Sequence, residues 1–202
     1  MVTDGLTPLT FLLFAGLVFG SVVVLGGALV ALLLKQPLWV RRLLWLEGAG
    51  LAAYTLLYLL ASLISHNRTL DLGQEKHICE VDCHVAYSVV GVKTQGARYT
   101  VTVKVCFDQT TISARRGMGP LTPNSRYVAV VDGRGRRYEA PTDGLRRPLV
   151  PGESYTTDLV FDVPANAGQV RLILRNADPE SAFMIGHENS FWHGRITFQL
   201  PG

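Results

Sequence analysis

Two long apolar runs, then a series of short alternating ones, divide the chain. Thr10 to Leu34 reads TFLLFAGLVFGSVVVLGGALVALLL, 25 residues without a charge, and Leu43 to Ser65 reads LLWLEGAGLAAYTLLYLLASLIS. At about 1.5 Å per residue, a helix over the first run is roughly 37 Å long, enough to cross a hydrocarbon core of about 30 Å with some tilt. Beyond His66 the texture changes. In ARYTVTVKVCF, Tyr99, Val101, Val103, Val105 and Phe107 share one face of a strand, and Thr100, Thr102, Lys104 and Cys106 share the other. The same alternation sets Leu159, Phe161 and Val163 against Asp158 and Asp162. It also sets Val170, Leu172 and Leu174 against Arg171 and Arg175, and Ile196, Phe198 and Leu200 against Arg195, Thr197 and Gln199. Val85 to Lys93 and Arg126 to Val131 read as further strands, the latter turning through DGRG into RRYEA as a hairpin. About seven short strands with turns between them predict an antiparallel sandwich.

These patterns predict three segments: a two-helix transmembrane anchor over 1–65 with spans 10–34 and 43–65, a juxtamembrane linker over 66–84, and an outer β-sandwich over 85–202. Charge orients the anchor. KQPLWVRR, between the runs, carries Lys35, Arg41 and Arg42 and no acid, whereas the segment before the first run carries Asp4 and no base. The positive-inside rule puts the connecting loop in the cytoplasm, with both termini and the β-domain on the periplasmic side of the inner membrane. A cleaved signal peptide fits the first run poorly, because the basic n-region is missing and the apolar stretch is too long. The net charge of +3 gives no reason to expect a nucleic-acid partner.

The run LVPGESYTTDLVFDVPANAGQVRLIL, Leu149 to Leu174, and the hairpin from Tyr127 to Tyr138 resemble a bacterial family of membrane-anchored, immunoglobulin-like extracellular domains of unknown function. The resemblance covers roughly residues 85–200. It implies the fold of the outer part and brings no catalytic residues; together with the two apolar runs, which lie outside it, the expected fold is a two-helix transmembrane hairpin followed by an all-β antiparallel immunoglobulin-like sandwich.

The segment QEKHICEVDCHVAY lies outside that pattern and admits several chemistries. Cys79, Cys83 and Cys106 are the three cysteines of the chain, an odd number. On a helical turn, Cα atoms four residues apart are about 6 Å apart, within disulfide range, whereas on a strand they are about 13 Å apart. An oxidising outer compartment favours a disulfide, with pairing to Cys106 also open. Copper is the alternative. Cys79-x3-Cys83 has the cysteine spacing of the copper site in cytochrome oxidase subunit II, which this chain also resembles in layout, and His84 is adjacent. The detail departs from that family: the pair precedes the first strand, and Met184, His187 and His193 would have to come from the far end of the chain. CEVDCH is also one residue longer than a haem-attachment motif, and zinc lacks evident further ligands.

Other candidates concern partners. Gly16 and Gly20 form a small-xxx-small pair, with Gly26, Gly27 and Ala28 beyond, suited to close approach by another helix or by the chain's own second span. Glu47 is an acid inside the second span, near enough to Arg41 or Arg42 to pair. Arg115 and Arg116 open a stretch to Arg147 with eight arginines against three acids, and Phe191 and Trp192 sit in a loop that either anchors an interface or closes the sandwich. No nucleophile–base–acid set, phosphate-binding glycine loop or HExxH is present. The expectation is a non-enzymatic accessory or assembly subunit, with no cofactor. Its partners would be the lipid bilayer and other membrane subunits, an energy-transducing complex being a suitable host.

Overall fold

The computed structural model describes the chain except for residues 1, 4–7, 79–83, 112–117, 124, 126, 165, 177–178 and 202. It divides into two compact units. One comprises 6–65 together with 180–193, and the other 1–5, 66–179 and 194–202.

In the helical unit, α1 runs from Pro8 to Leu33 and α2 from Pro37 to Ile64, and both are long and apolar enough to cross a membrane. The connection is shorter than the charge pattern suggested, and Arg41 and Arg42 lie in the first turns of α2 rather than in a loop. The N–H of Gln36 reaches the carbonyl of Ala31 (2.9 Å), and that of Lys35 reaches Leu32 (3.0 Å), closing α1 with a Schellman cap. The cap requires a left-handed residue, here Lys35 at φ 55°, and Pro37 then opens α2 where its missing N–H costs nothing. The sheltered positions of α1 include Phe14, Leu17, Ser21, Val24, Ala28 and Ala31, flanked by the partly sheltered Ala15 and Gly20; those of α2 include Val40, Leu43, Glu47, Tyr54, Tyr58 and Ala61. Both sets step by three and four residues, as a supercoiled helix pair requires.

In the β unit, two five-stranded sheets face each other. The first has the order β1-β3-β4-β5-β8, from Val2–Thr3, Glu75–Ile78, Val85–Gln95, Arg98–Phe107 and Ser154–Asp162. The second has the order β2-β10-β9-β6-β7, from Arg68–Leu70, Ile196–Leu200, Val170–Arg175, Tyr127–Val131 and Arg137–Glu139. The core is made of the apolar faces read from the sequence: Val101, Val103, Val105 and Phe107 of β5 and Leu159 and Phe161 of β8 meet Val128, Val130, Leu172, Leu174, Phe198 and Leu200 of the other sheet. The fold is the expected sandwich.

Three details differ from expectation. Residues 66–84 are not simply a linker, because β2 and β3 within them join opposite sheets. The sheets are not wholly antiparallel: β2 pairs in parallel with β10, and β1 with β3. Lys76 of β3, a charge that its sequence context would leave in solvent, is fully buried, its ammonium donating to the carbonyl of Leu174 at 2.6 Å. The charge-assisted bonds to backbone oxygen offset part of its desolvation.

The β6–β7 hairpin is organised by Asp132. Its carboxylate accepts the N–H of Arg134 and of Arg136 (both 2.9 Å), the Arg136 Nε–H (2.7 Å) and the Tyr138 hydroxyl (3.2 Å). Burial pushes the carboxyl up, but these donors outweigh it and hold the group down at about 2.

Candidate functional site

The segment between β9 and β10 leaves the sandwich after Pro179, adds Glu180–His193 to the helical unit, and rejoins β10 through Gly194. A 3-10 helix over Pro179–Phe183 opens it. A chain of turns follows, in which the N–H groups of Met184, His187, Ser190 and His193 each reach back three residues, to the carbonyls of Ser181, Met184, His187 and Ser190. Side chains complete the internal bonding. Ser190 Oγ donates to the Met184 carbonyl, Asn189 Nδ2 to Ser181 Oγ (2.8 Å), and the Asn189 N–H to His187 Nδ1 (3.0 Å).

Two tyrosines one helical turn apart on α2 hold this loop. The Tyr54 hydroxyl donates to the Phe183 carbonyl (2.8 Å) and the Tyr58 hydroxyl to that of Ala182 (2.8 Å), and Tyr58 also accepts the N–H of Phe191 (2.6 Å). The loop's polarity is inverted relative to an ordinary surface loop. Ser181, His187, Glu188 and Ser190 are buried, whereas Phe183, Phe191 and Trp192 are 55%, 53% and 78% exposed. The three rings form one cluster, Phe183 meeting Phe191 edge-on at 5.9 Å and Phe191 tilting against Trp192 at 6.2 Å. Trp192 takes a left-handed backbone, φ 61°, costing about 1–2 kcal/mol for a residue with a Cβ. Of the two placements open to Phe191 and Trp192, the exposed one is realised.

The glycines of α1 are also separated by the structure. Gly27 faces α2, where an added Cβ would touch Leu43 Cδ1 at 3.5 Å, and Ala28 and Ala31 are buried nearby. Among the described residues, nothing lies within 4 Å of a Cβ built at Gly16, Gly20 or Gly26, although Gly20 is itself partly sheltered. Packing against α2 therefore does not account for the Gly16–Gly20 pair. Glu47 is half-buried on the interhelical seam and, among the described residues, pairs with neither Arg41 nor Arg42; the Arg42 guanidinium instead lies over the Trp39 ring at 5.5 Å.

Cys79, Cys83, Arg115 and Arg116 lie outside the described residues. Cys106, a free thiol on β5, is partly sheltered, and burial pushes its thiol up, with Lys104 opposing; its two candidate disulfide partners lie outside the described residues. His84 is buried, stacked on Phe107 at 5.6 Å with Nδ1 against the Thr111 hydroxyl, so its ring is already oriented by the protein. Met184, His187 and His193 belong to the helical unit and His84 to the sandwich, and among the described residues no three His, Cys, Asp or Glu side chains are grouped to hold a metal ion. Tyr54 and Tyr58 are positions that sequence reasoning did not reach. Their i, i+4 spacing inside an otherwise apolar span was the available signal.

No family model matches the chain, and no curated protein matches it significantly. Among solved structures it is similar to MPT63, a secreted protein from Mycobacterium tuberculosis, at 14% identity and a TM-score of 0.44, covering 67% of this chain and 98% of that one. At that score the likeness carries no functional weight.

Proposed function

We propose that the chain is a non-catalytic accessory or assembly subunit of a larger complex in the cytoplasmic membrane, holding its β-sandwich on the periplasmic side. The observation that carries this reading is the open glycine pair on α1. In lipid, helices associate through close backbone approach, and small residues spaced four apart provide it. Gly16 and Gly20 have that spacing, and a Cβ at either position would touch no described residue, so close packing with α2 does not itself call for glycine there. Lys35, Arg41 and Arg42 at the α1–α2 connection support the orientation, since basic residues are retained in the cytoplasm. A sandwich of the immunoglobulin-like kind suits a binding role on the far side. No acid–base or nucleophilic set recognised in the sequence suggests catalysis.

Extraction in mild detergent tests the proposal. The wild-type chain is expected to bring defined subunits with it in fixed ratio. A Gly16→Leu/Gly20→Leu variant, whose added Cβ atoms would touch no described residue, is expected to insert normally and lose them. A wild-type chain that migrates alone under every gentle extraction removes the proposal.

A further inference from the structure

We propose that the loop Glu180–His193 is a lipid-facing anchor, its Phe183, Phe191 and Trp192 rings immersed in the outer leaflet of the bilayer, below the headgroups. The inference rests on α2 spanning the membrane and is independent of the accessory-subunit reading.

Depth is fixed by the tyrosine hydrogen bonds. Tyr58 and Tyr54 lie six and ten residues before Ile64, the last residue of α2, hence about 9 and 15 Å below its end. The 28 residues of α2 make about 42 Å of helix, some 12 Å more than a hydrocarbon core of about 30 Å. With Arg42 at the inner boundary, the outer boundary falls about 20 residues later, near Ser62. Tyr58 and Tyr54 are then about 6 and 12 Å inside it along the helix axis, somewhat less with tilt. A loop bonded to both hydroxyls is held at the same level.

Irregular backbone at that depth is tolerated where its polar groups are satisfied by protein. The loop meets much of this requirement, although the buried His193 Nδ1 has no hydrogen-bond partner among the described residues. Successive turns absorb the N–H groups of Met184, His187, Ser190 and His193, Tyr54 and Tyr58 donate to the Phe183 and Ala182 carbonyls, and Tyr58 accepts the Phe191 N–H. Apart from Glu180 at its start, the exposed side chains of the loop are the three aromatic ones, while Ser181, His187, Glu188 and Ser190 are turned inward. Water would penalise that arrangement. The interface, where Trp and other aromatic rings concentrate, favours it.

The full-length chain in phosphatidylcholine vesicles provides the test. A Trp39→Phe/Trp45→Phe variant leaves Trp192 as the only tryptophan of the three. Its emission is expected to be blue-shifted, strongly quenched by lipids brominated near the headgroup end of the acyl chain, less so by lipids brominated near the chain terminus, and protected from aqueous iodide. A Trp39→Phe/Trp192→Phe variant reports Trp45 and hence insertion of α2. Trp45 quenched by bromolipid with Trp192 quenched only by iodide overturns the proposal and leaves the membrane span standing. Iodide access in pure lipid that disappears only in native membranes also overturns it, in favour of a protein partner. If neither tryptophan meets bromolipid, the span itself fails and the proposal falls with it.

Discussion

Tyr58→Phe removes one oxygen and strands two backbone groups. In the structure that hydroxyl donates to the Ala182 carbonyl at 2.8 Å and accepts the Phe191 N–H at 2.6 Å, joining the beginning and end of the loop on one atom of α2. The ring of Tyr58 is buried and phenylalanine fills the same space, so packing is retained. Loss of a partner from a buried polar group costs about 1–3 kcal/mol, and two groups are affected; allowing for relaxation, the loop loses about 2–4 kcal/mol of local stability. Each 1.4 kcal/mol is about tenfold in an equilibrium constant, so loop opening should become on the order of 30-fold to several hundred-fold more frequent. Tyr54→Phe frees the Phe183 carbonyl and removes a backbone hydrogen bond with Ile185, in a more exposed setting, and should cost no more than about 0.5–1.5 kcal/mol. Amide hydrogen exchange of the full chain in detergent micelles or nanodiscs measures both. The Phe191 amide should exchange much faster in Tyr58→Phe, a little faster in Tyr54→Phe, and the β4–β5 amides should be unchanged in each. Equal protection of Phe191 in wild type and Tyr58→Phe would refute the reasoning, because the loop would then be held by something other than the tyrosine hydroxyl.

Two further outcomes follow from the sandwich. Asp132 has a folded-state pKa of about 2, below its unfolded value near 4, so its contribution is fully present above about pH 4 and disappears as pH falls through about 2. The difference in thermal unfolding midpoint between wild type and Asp132→Asn should shrink across that window; a difference independent of pH would show that the carboxylate charge is not what the hairpin uses. At Gly194 an added Cβ would collide with the backbone N, C and O of His66, atoms that cannot rotate aside as a side chain can. Gly194→Ala should therefore cost about 1–3 kcal/mol through overpacking where β10 begins beside β2, read as a lower midpoint in denaturant unfolding, and an unchanged midpoint would refute the collision.

The alternating faces of β5, β8, β9 and β10 and the two apolar spans were legible in the sequence because each follows from a local period, two residues for a pleated strand or a continuous run for a lipid-spanning helix. The DGRG hairpin was legible for a related reason, since Asp and Gly satisfy turn geometry within a few residues; Gly135 takes φ 80°. The strands β2 and β3 were missed, being three and four residues long, too short for alternation to show against the surrounding polar residues. What the tertiary structure decided depends on groups far apart in the chain. Spacing reveals that Gly16 and Gly20 share a face, but only the position of α2 shows that this face is left open. Composition marks Phe191 and Trp192 as either anchors or core, and the choice is made by hydroxyls at Tyr54 and Tyr58, more than 120 residues earlier. Periodicity is a property of neighbours, and it fixes elements and their faces. A hydrogen bond between distant residues has no local signature, and in this protein such bonds decide which surface the aromatic loop presents.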